Sequence, residues 1–181
     1  MRILQPKRKP LFLLAIIVIL CSGISCKKID DLLTFTINIE NNFTIGASSP
    51  VNIPVDILTP QVTTNSTQQF KNNNSDINLV KEIKLKTLNL QIINPAEKTF
   101  AFLESVHIYI STNTNDEIEL AYLDNISSTS NSISLIPTAA SLDNYVKASS
   151  YSLRTKIVTK QVLTQNVDIK NLCQFQVKAN L

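Results

Sequence analysis

The sequence predicts an all-β protein: an antiparallel two-sheet sandwich of immunoglobulin-like or jelly-roll character, with seven to nine strands and one short helical turn near residues 141–147. Three observations predict it. Apolar residues recur at every second position through most of the chain, the period of a strand with one buried face. The breaks between these runs are Asn, Ser, Thr and Pro, which are turn and loop residues. Helical i, i+3, i+4 spacing is nearly absent.

The elements follow in order. In residues 34–58, Phe35, Ile37, Ile39, Phe43 and Ile45 share odd positions, and Val51, Ile53, Val55 and Ile57 repeat the pattern. Asn41-Asn42 and Ala47-Ser48-Ser49-Pro50 are the breaks. Pro54 has no amide hydrogen to give to a ladder, so the second strand belongs at an edge or a bulge. Residues 59–78 are polar, with Phe70 their main apolar point; 61–70 reads as a weak strand and 71–76 as a loop suited to a flexible excursion.

Residues 80–93 form the longest strand-like run. Ile83 and Leu85 are odd, whereas Leu88, Leu90 and Ile92 are even, so the phase flips around Lys86-Thr87. One extra residue there, a bulge or a change of sheet, lets both sets face inward. Asn94-Pro95 ends the run. Phe100 and Phe102 open the next unit, continued by Val106, Ile108 and Ile110. A polar connection at 112–116 leads to Ile118, Leu120 and Tyr122, which gives a hairpin. Ile133 and Leu135 give a short strand.

Leu142, Tyr145 and Val146 have helical spacing, and Ser141 stands where it can cap the turn. The last hairpin joins residues 151–158 to 162–179. In it Tyr151, Leu153, Ile157, Val167, Ile169, Cys173, Phe175, Val177 and Ala179 take the odd, buried positions. Gly46 is the only glycine after residue 25, so asparagine must supply most positive-φ turn positions.

The chain divides into residues 1–25, 26–33 and 34–181. The first segment has a basic start (Arg2, Lys7, Arg8, Lys9) and then an uncharged apolar run at 11–20. A bilayer-spanning helix needs about 20 apolar residues, and this run has the length of a signal-peptide core. Gly23-Ile24-Ser25-Cys26 follows. A small residue directly before Cys resembles the lipobox of bacterial lipoproteins, of the looser Bacteroidetes type, since Gly23 stands where an aliphatic residue is usual. The resemblance implies cleavage between Ser25 and Cys26, acylation of the Cys26 thiol with palmitate-type chains, and anchoring in the bacterial outer membrane, on its periplasmic or surface face. An ordinary signal peptide cut near Gly23 or Ser25, and an uncleaved anchor, are the alternatives. Residues 26–33 are then a lipid-bearing tether and 34–181 the sandwich. Lys27, Lys28, Asp30 and Asp31 read as a solvated part of that tether. The alternative is that they resemble the short Lys-plus-acidic signals that send some Bacteroidetes lipoproteins to the outer face of the outer membrane, a pattern that Ile29 interrupts.

Removing the first 25 residues removes four of the 17 basic residues, which leaves 13 against 14 acidic ones. A near-neutral chain without a basic cluster excludes nucleic acid as a partner. Cys173 would be the one thiol left, so there is no disulfide framework, and its place in an apolar run makes it a core residue. Motifs for catalysis are missing. His107 is the single histidine and lies on the outward face of its strand; a triad or a histidine metal site needs partners that the sequence does not reveal. Asp116, Glu117 and Glu119 lack the calcium-loop pattern, and two glycines are too few for a phosphate-binding loop or a nucleophile elbow. No cofactor and no metal are expected. Tyr109 shares a face with His107, and this pair is the candidate ligand contact. The reading is a non-catalytic, lipid-anchored envelope protein with a structural, adhesive or partner-binding role, its partner an envelope protein or a glycan. The alternative is a carbohydrate- or small-ligand-binding module of a surface uptake system.

Overall fold

The computed structural model describes residues 34–180. Ser25 and Cys26, the positions read as cleavage and lipidation sites, lie outside the described residues. Nine strands are present among them: β1 (Thr34–Ile45), β2 (Val55–Leu58), β3 (Val62–Thr63), β4 (Val80–Asn94), β5 (Leu103–Ser111), β6 (Ile118–Leu123), β7 (Ser132–Pro137), β8 (Ser150–Thr159) and β9 (Val167–Ala179). Two short helices, α1 (Ser66–Asn72) and α2 (Asp143–Val146), interrupt them.

The strands pair in the order β1-β9-β4-β7-β6-β5-β8-β2, with β3 added beside β8. Each register given for these pairs is antiparallel. β7 is the corner. Its residues 132–135 pair with β4, and Ile136 and Pro137 pair with β6. The sheet therefore turns at β7 into two halves, and their inner faces share one apolar core containing Ile37, Leu90, Ile108, Leu153 and Phe175. The predicted antiparallel sandwich is what the chain adopts.

The alternation in β1, β8 and β9 is as read from the sequence, with odd positions buried. The phase flip in β4 is a bulge. Leu85 opposes Phe175 and Thr87 opposes Gln174, which leaves Lys86 as the extra residue, so Ile83, Leu85, Leu88 and Leu90 are all buried. β2 starts directly after Pro54 and ends the sheet, the edge position that Pro54 required.

Several readings are corrected. Residues 66–72 are helical, not a weak strand, and the segment is pinned: Phe70 is fully buried and meets Phe35 edge-on at 6.2 Å. Phe100 and Phe102 belong to a 3-10 turn ahead of β5, and both are buried. Ile53 is 56% exposed because the strand begins only after it. The last two strands are not a hairpin: β8 pairs with β5 and β2, β9 with β4 and β1. The connection 160–166 carries the chain across the core, with Leu163 buried on the way. A tight turn would have forced these strands to pair; a connection of this length does not.

In α2, Leu142, Tyr145 and Val146 are buried as their spacing predicted. Ser141 does not cap the backbone. Its hydroxyl donates to Asp143 Oδ2 at 2.7 Å, and the cap position is Leu142. This segment has another task. β7 covers only residues 88–91 of β4, so the first half of that edge would be bare. Leu142 N donates to the Ile83 carbonyl at 2.9 Å, Ile83 N to Asp143 Oδ2 at 3.2 Å, and Lys147 Nζ to the Val80 carbonyl at 2.7 Å. A covered edge keeps its polar backbone groups satisfied.

Candidate functional site

The outer face of β7-β6-β5-β8-β2 gathers both residues singled out from the sequence, His107 and Tyr109. Register builds it as two cross-strand rows. The first runs Ile136, Tyr122, His107, Lys156, Asp56. The second runs Glu119, Tyr109, Arg154, Leu58. At about 4.8 Å between strands the first row spans roughly 19 Å.

A bulge in β6 makes these rows. Tyr109 opposes Glu119 and Ile108 opposes Ala121, so Leu120 is the inserted residue. Leu120 and Ala121 both point into the core. Glu119 and Tyr122, of opposite parity, then share the outer face. The plain alternation read from the sequence placed Tyr122 on the inner side with Leu120; the bulge moves it out beside His107.

His107 is held on three sides. Nδ1 lies 2.7 Å from Glu119 Oε1 and Nε2 lies 3.1 Å from Asp124 Oδ1. Its ring stacks on Tyr122 with centroids 5.9 Å apart and planes inclined by 17°. Only the doubly protonated imidazole donates to both carboxylates at once. Neither carboxylate partner was identified in the sequence. The hairpin pairing offered the signal, since it brings residues 119–124 opposite His107.

Arg154 organises the second row. Nε and Nη2 bind the two oxygens of Glu117 at 2.9 and 2.6 Å, and Nη1 reaches Asp56 Oδ1 at 2.5 Å. The guanidinium lies 4.2 Å from the centre of the Tyr109 ring. A forked guanidinium over an aromatic face is the geometry for which Arg, not Lys, is suited. The bond from Arg154 holds the Glu117 carboxyl below the usual carboxylate range. Burial, followed by the Glu119 charge, pushes the Tyr109 hydroxyl up.

The neighbouring acids are engaged as well. Asp116 accepts from Thr112 N at 2.9 Å, from Asn113 N at 3.0 Å and from the Thr112 hydroxyl. With Glu117 on Arg154 and Glu119 on His107, the three carboxylates do not converge, and no cluster of metal-ligating side chains occurs among the described residues. Cys173 is buried, and burial pushes its thiol up to about 12.

No protein-family model matches the chain, and no curated protein matches it. Solved structures do overlap with it. One belongs to work on carbohydrate-binding modules of the β-sandwich superfamily: 8% identity, TM-score 0.30, covering 81% of this chain and 55% of that one. This chain thus spans about half the length of that protein. Turnip yellow mosaic virus supplies another, with 11% identity, TM-score 0.29 and coverage of 81% and 83%. The decameric BFDV capsid protein is a third, with 8% identity, TM-score 0.32 and coverage of 80% and 98%. None is similar enough to lend this chain a function.

Proposed function

We propose that the protein is a non-catalytic binding domain, held at the bacterial envelope by lipid on Cys26, that engages a protein partner through the outer face of β7-β6-β5-β8-β2. The observation that carries the reading is the pair of rows on that face. They set two tyrosines, an arginine and a histidine, all fixed by neighbours, between Ile136 (49% exposed) and Leu58 (75% exposed). Tyrosine and arginine with a few exposed apolar side chains are the composition of protein interfaces. Rings already ordered lose little freedom on binding.

Two neighbouring readings fare less well on the same face. Sugar stacking needs open rings, and Arg154 already lies on Tyr109 while His107 lies on Tyr122. Catalysis by His107 needs a free ring nitrogen turned to a nucleophile, and both nitrogens face carboxylates.

Two experiments test the proposal. Metabolic labelling with a palmitate analogue is expected to mark the wild type and not Cys26→Ala; equal labelling ends the anchoring idea. A photo-crosslinking amino acid at position 122 or 156 is expected to yield a defined adduct with an envelope protein in living cells. The same amino acid at position 91, on the opposite outer face, is expected to yield none. Adducts from all three positions, or from 91 alone, overturn the assignment of the face.

A further inference from the structure

The other outer face, on β1-β9-β4, holds a cleft of about 160 Å³. Asn38 and Glu40 of β1, Leu172 and Gln174 of β9, and Thr87 and Asn89 of β4 line it. Register brings them together. Thr87 opposes Gln174, and Asn89 opposes Leu172. The extra residue Lys86 lies immediately before this point, where a bulge bends its strand. None of these residues touches the His107 face.

The chemistry of the cleft is specific in kind. Amide side chains carry donors and an acceptor, and a hydroxyl carries both. Gln174 Nε2 donates to Asn38 Oδ1 at 3.2 Å, and Ser134 Oγ donates to Asn89 Oδ1 at 2.6 Å. Those bonds orient the amides and leave the Asn38 and Asn89 nitrogens, the Gln174 oxygen and the Thr87 hydroxyl for a ligand. The single charge, Glu40, is met by Lys170 Nζ at 3.3 Å. An anion finds no spare cation in the cleft, and a cation finds no spare carboxylate. Leu172, half-buried, supplies an apolar patch among the polar groups.

We propose that this cleft binds one neutral sugar residue. A pyranose ring has the matching size, hydroxyls that both donate and accept, and a hydrocarbon face for Leu172. Pre-orientation of the amides lowers the cost of ordering them on binding. The site is independent of the protein-binding face, and either stands without the other.

Saturation-transfer-difference NMR on the full-length chain, in a detergent without a sugar headgroup, tests it. The probes are the methyl glycosides of glucose, galactose, mannose and N-acetylglucosamine, which differ at the hydroxyl-bearing carbons. At least one is expected to receive saturation. The double variant Asn89→Ala/Gln174→Ala is expected to weaken that ligand by about tenfold or more, as the loss of paired polar groups implies. Lys71→Ala, on α1, is expected to leave binding unchanged. All three substituted side chains are on the surface, so circular dichroism should be that of the wild type. Saturation of none of the four probes overturns the proposal. So does undiminished binding by the double variant, or loss in Tyr109→Ala with the double variant intact.

Discussion

Asparagine does in this chain what glycine does elsewhere. Among the described residues, five that are not glycine have positive φ, and four are asparagines: Asn52, Asn65, Asn74 and Asn125. The fifth is Ser48. Gly46 is not among them, and a β-carbon built on it meets nothing within 4 Å. Opposite outcomes follow for two similar substitutions. Gly46→Ala is expected to be neutral or to stabilise by up to about 1 kcal/mol, through a less flexible unfolded chain. Asn125→Ala is expected to cost about 1 kcal/mol, because its φ of 52° crowds a β-carbon that Asn tolerates better. Asn125→Gly is expected to cost nothing measurable. Urea titrations of the three variants check the order, and a destabilised Gly46→Ala would contradict it.

At the scale of the element, the bulge in β4 makes a test that ordinary substitution cannot. Lys86 is the inserted residue, so its removal leaves Leu85 and Leu88 two apart and on one face. The ladder against β9 then runs without a break at this point, with Leu85 still opposite Phe175 and Thr87 still opposite Gln174. Deleting Lys86 is therefore expected to leave a folded protein and to cost less than about 2 kcal/mol. Deleting Asn89 flips the following residues and turns Leu90 and Ile92, both buried, to solvent. At roughly 1.5–3 kcal/mol for each side chain, that loss is about 3 kcal/mol or more. Thermal unfolding followed by circular dichroism separates the two, and equal damage would place the bulge elsewhere. The β4 bulge was legible because its two apolar sets differ in parity. The β6 bulge was not, because Leu120 and Ala121 add only one small apolar residue to the pattern. That is why the sequence located His107 and Tyr109 on one face yet set Tyr122 on the other. α1 was hidden for a related reason. Phe70 alone anchors it, and one apolar residue has no period.

Strand faces depend on local alternation, but strand neighbours depend on what each connection permits. This is where the sequence reading of the whole molecule stopped. β8 and β9 follow one another and carry matching buried positions, yet they lie in opposite halves. β9 instead sits between β1 and β4, so the end of the described chain is central to its half of the sandwich. Cys173, in the middle of β9, reports on that placement. It is 3% exposed, and burial raises its thiol to about 12, with only a bond to Asn171 Oδ1 opposing the shift. The thiol stays neutral in the folded chain and ionises more easily in the unfolded one. Its contribution to stability is thus full below about 9 and is lost as pH rises toward about 12. Alkylation needs thiolate, so at pH 8 it needs β9 to leave the sheet. In a chain with Cys21 and Cys26 replaced by alanine, Cys173 is the one thiol. Iodoacetamide is expected to label it about a thousandfold more slowly than in concentrated urea, or slower still, since a stable domain is unfolded for less than about one part in a thousand. The labelling rate is expected to rise with urea at the slope of global unfolding, because a central strand joined to one continuous core cannot open alone. Fast labelling without that slope would mean that β9 detaches locally, which is the behaviour of an edge strand and not of this one.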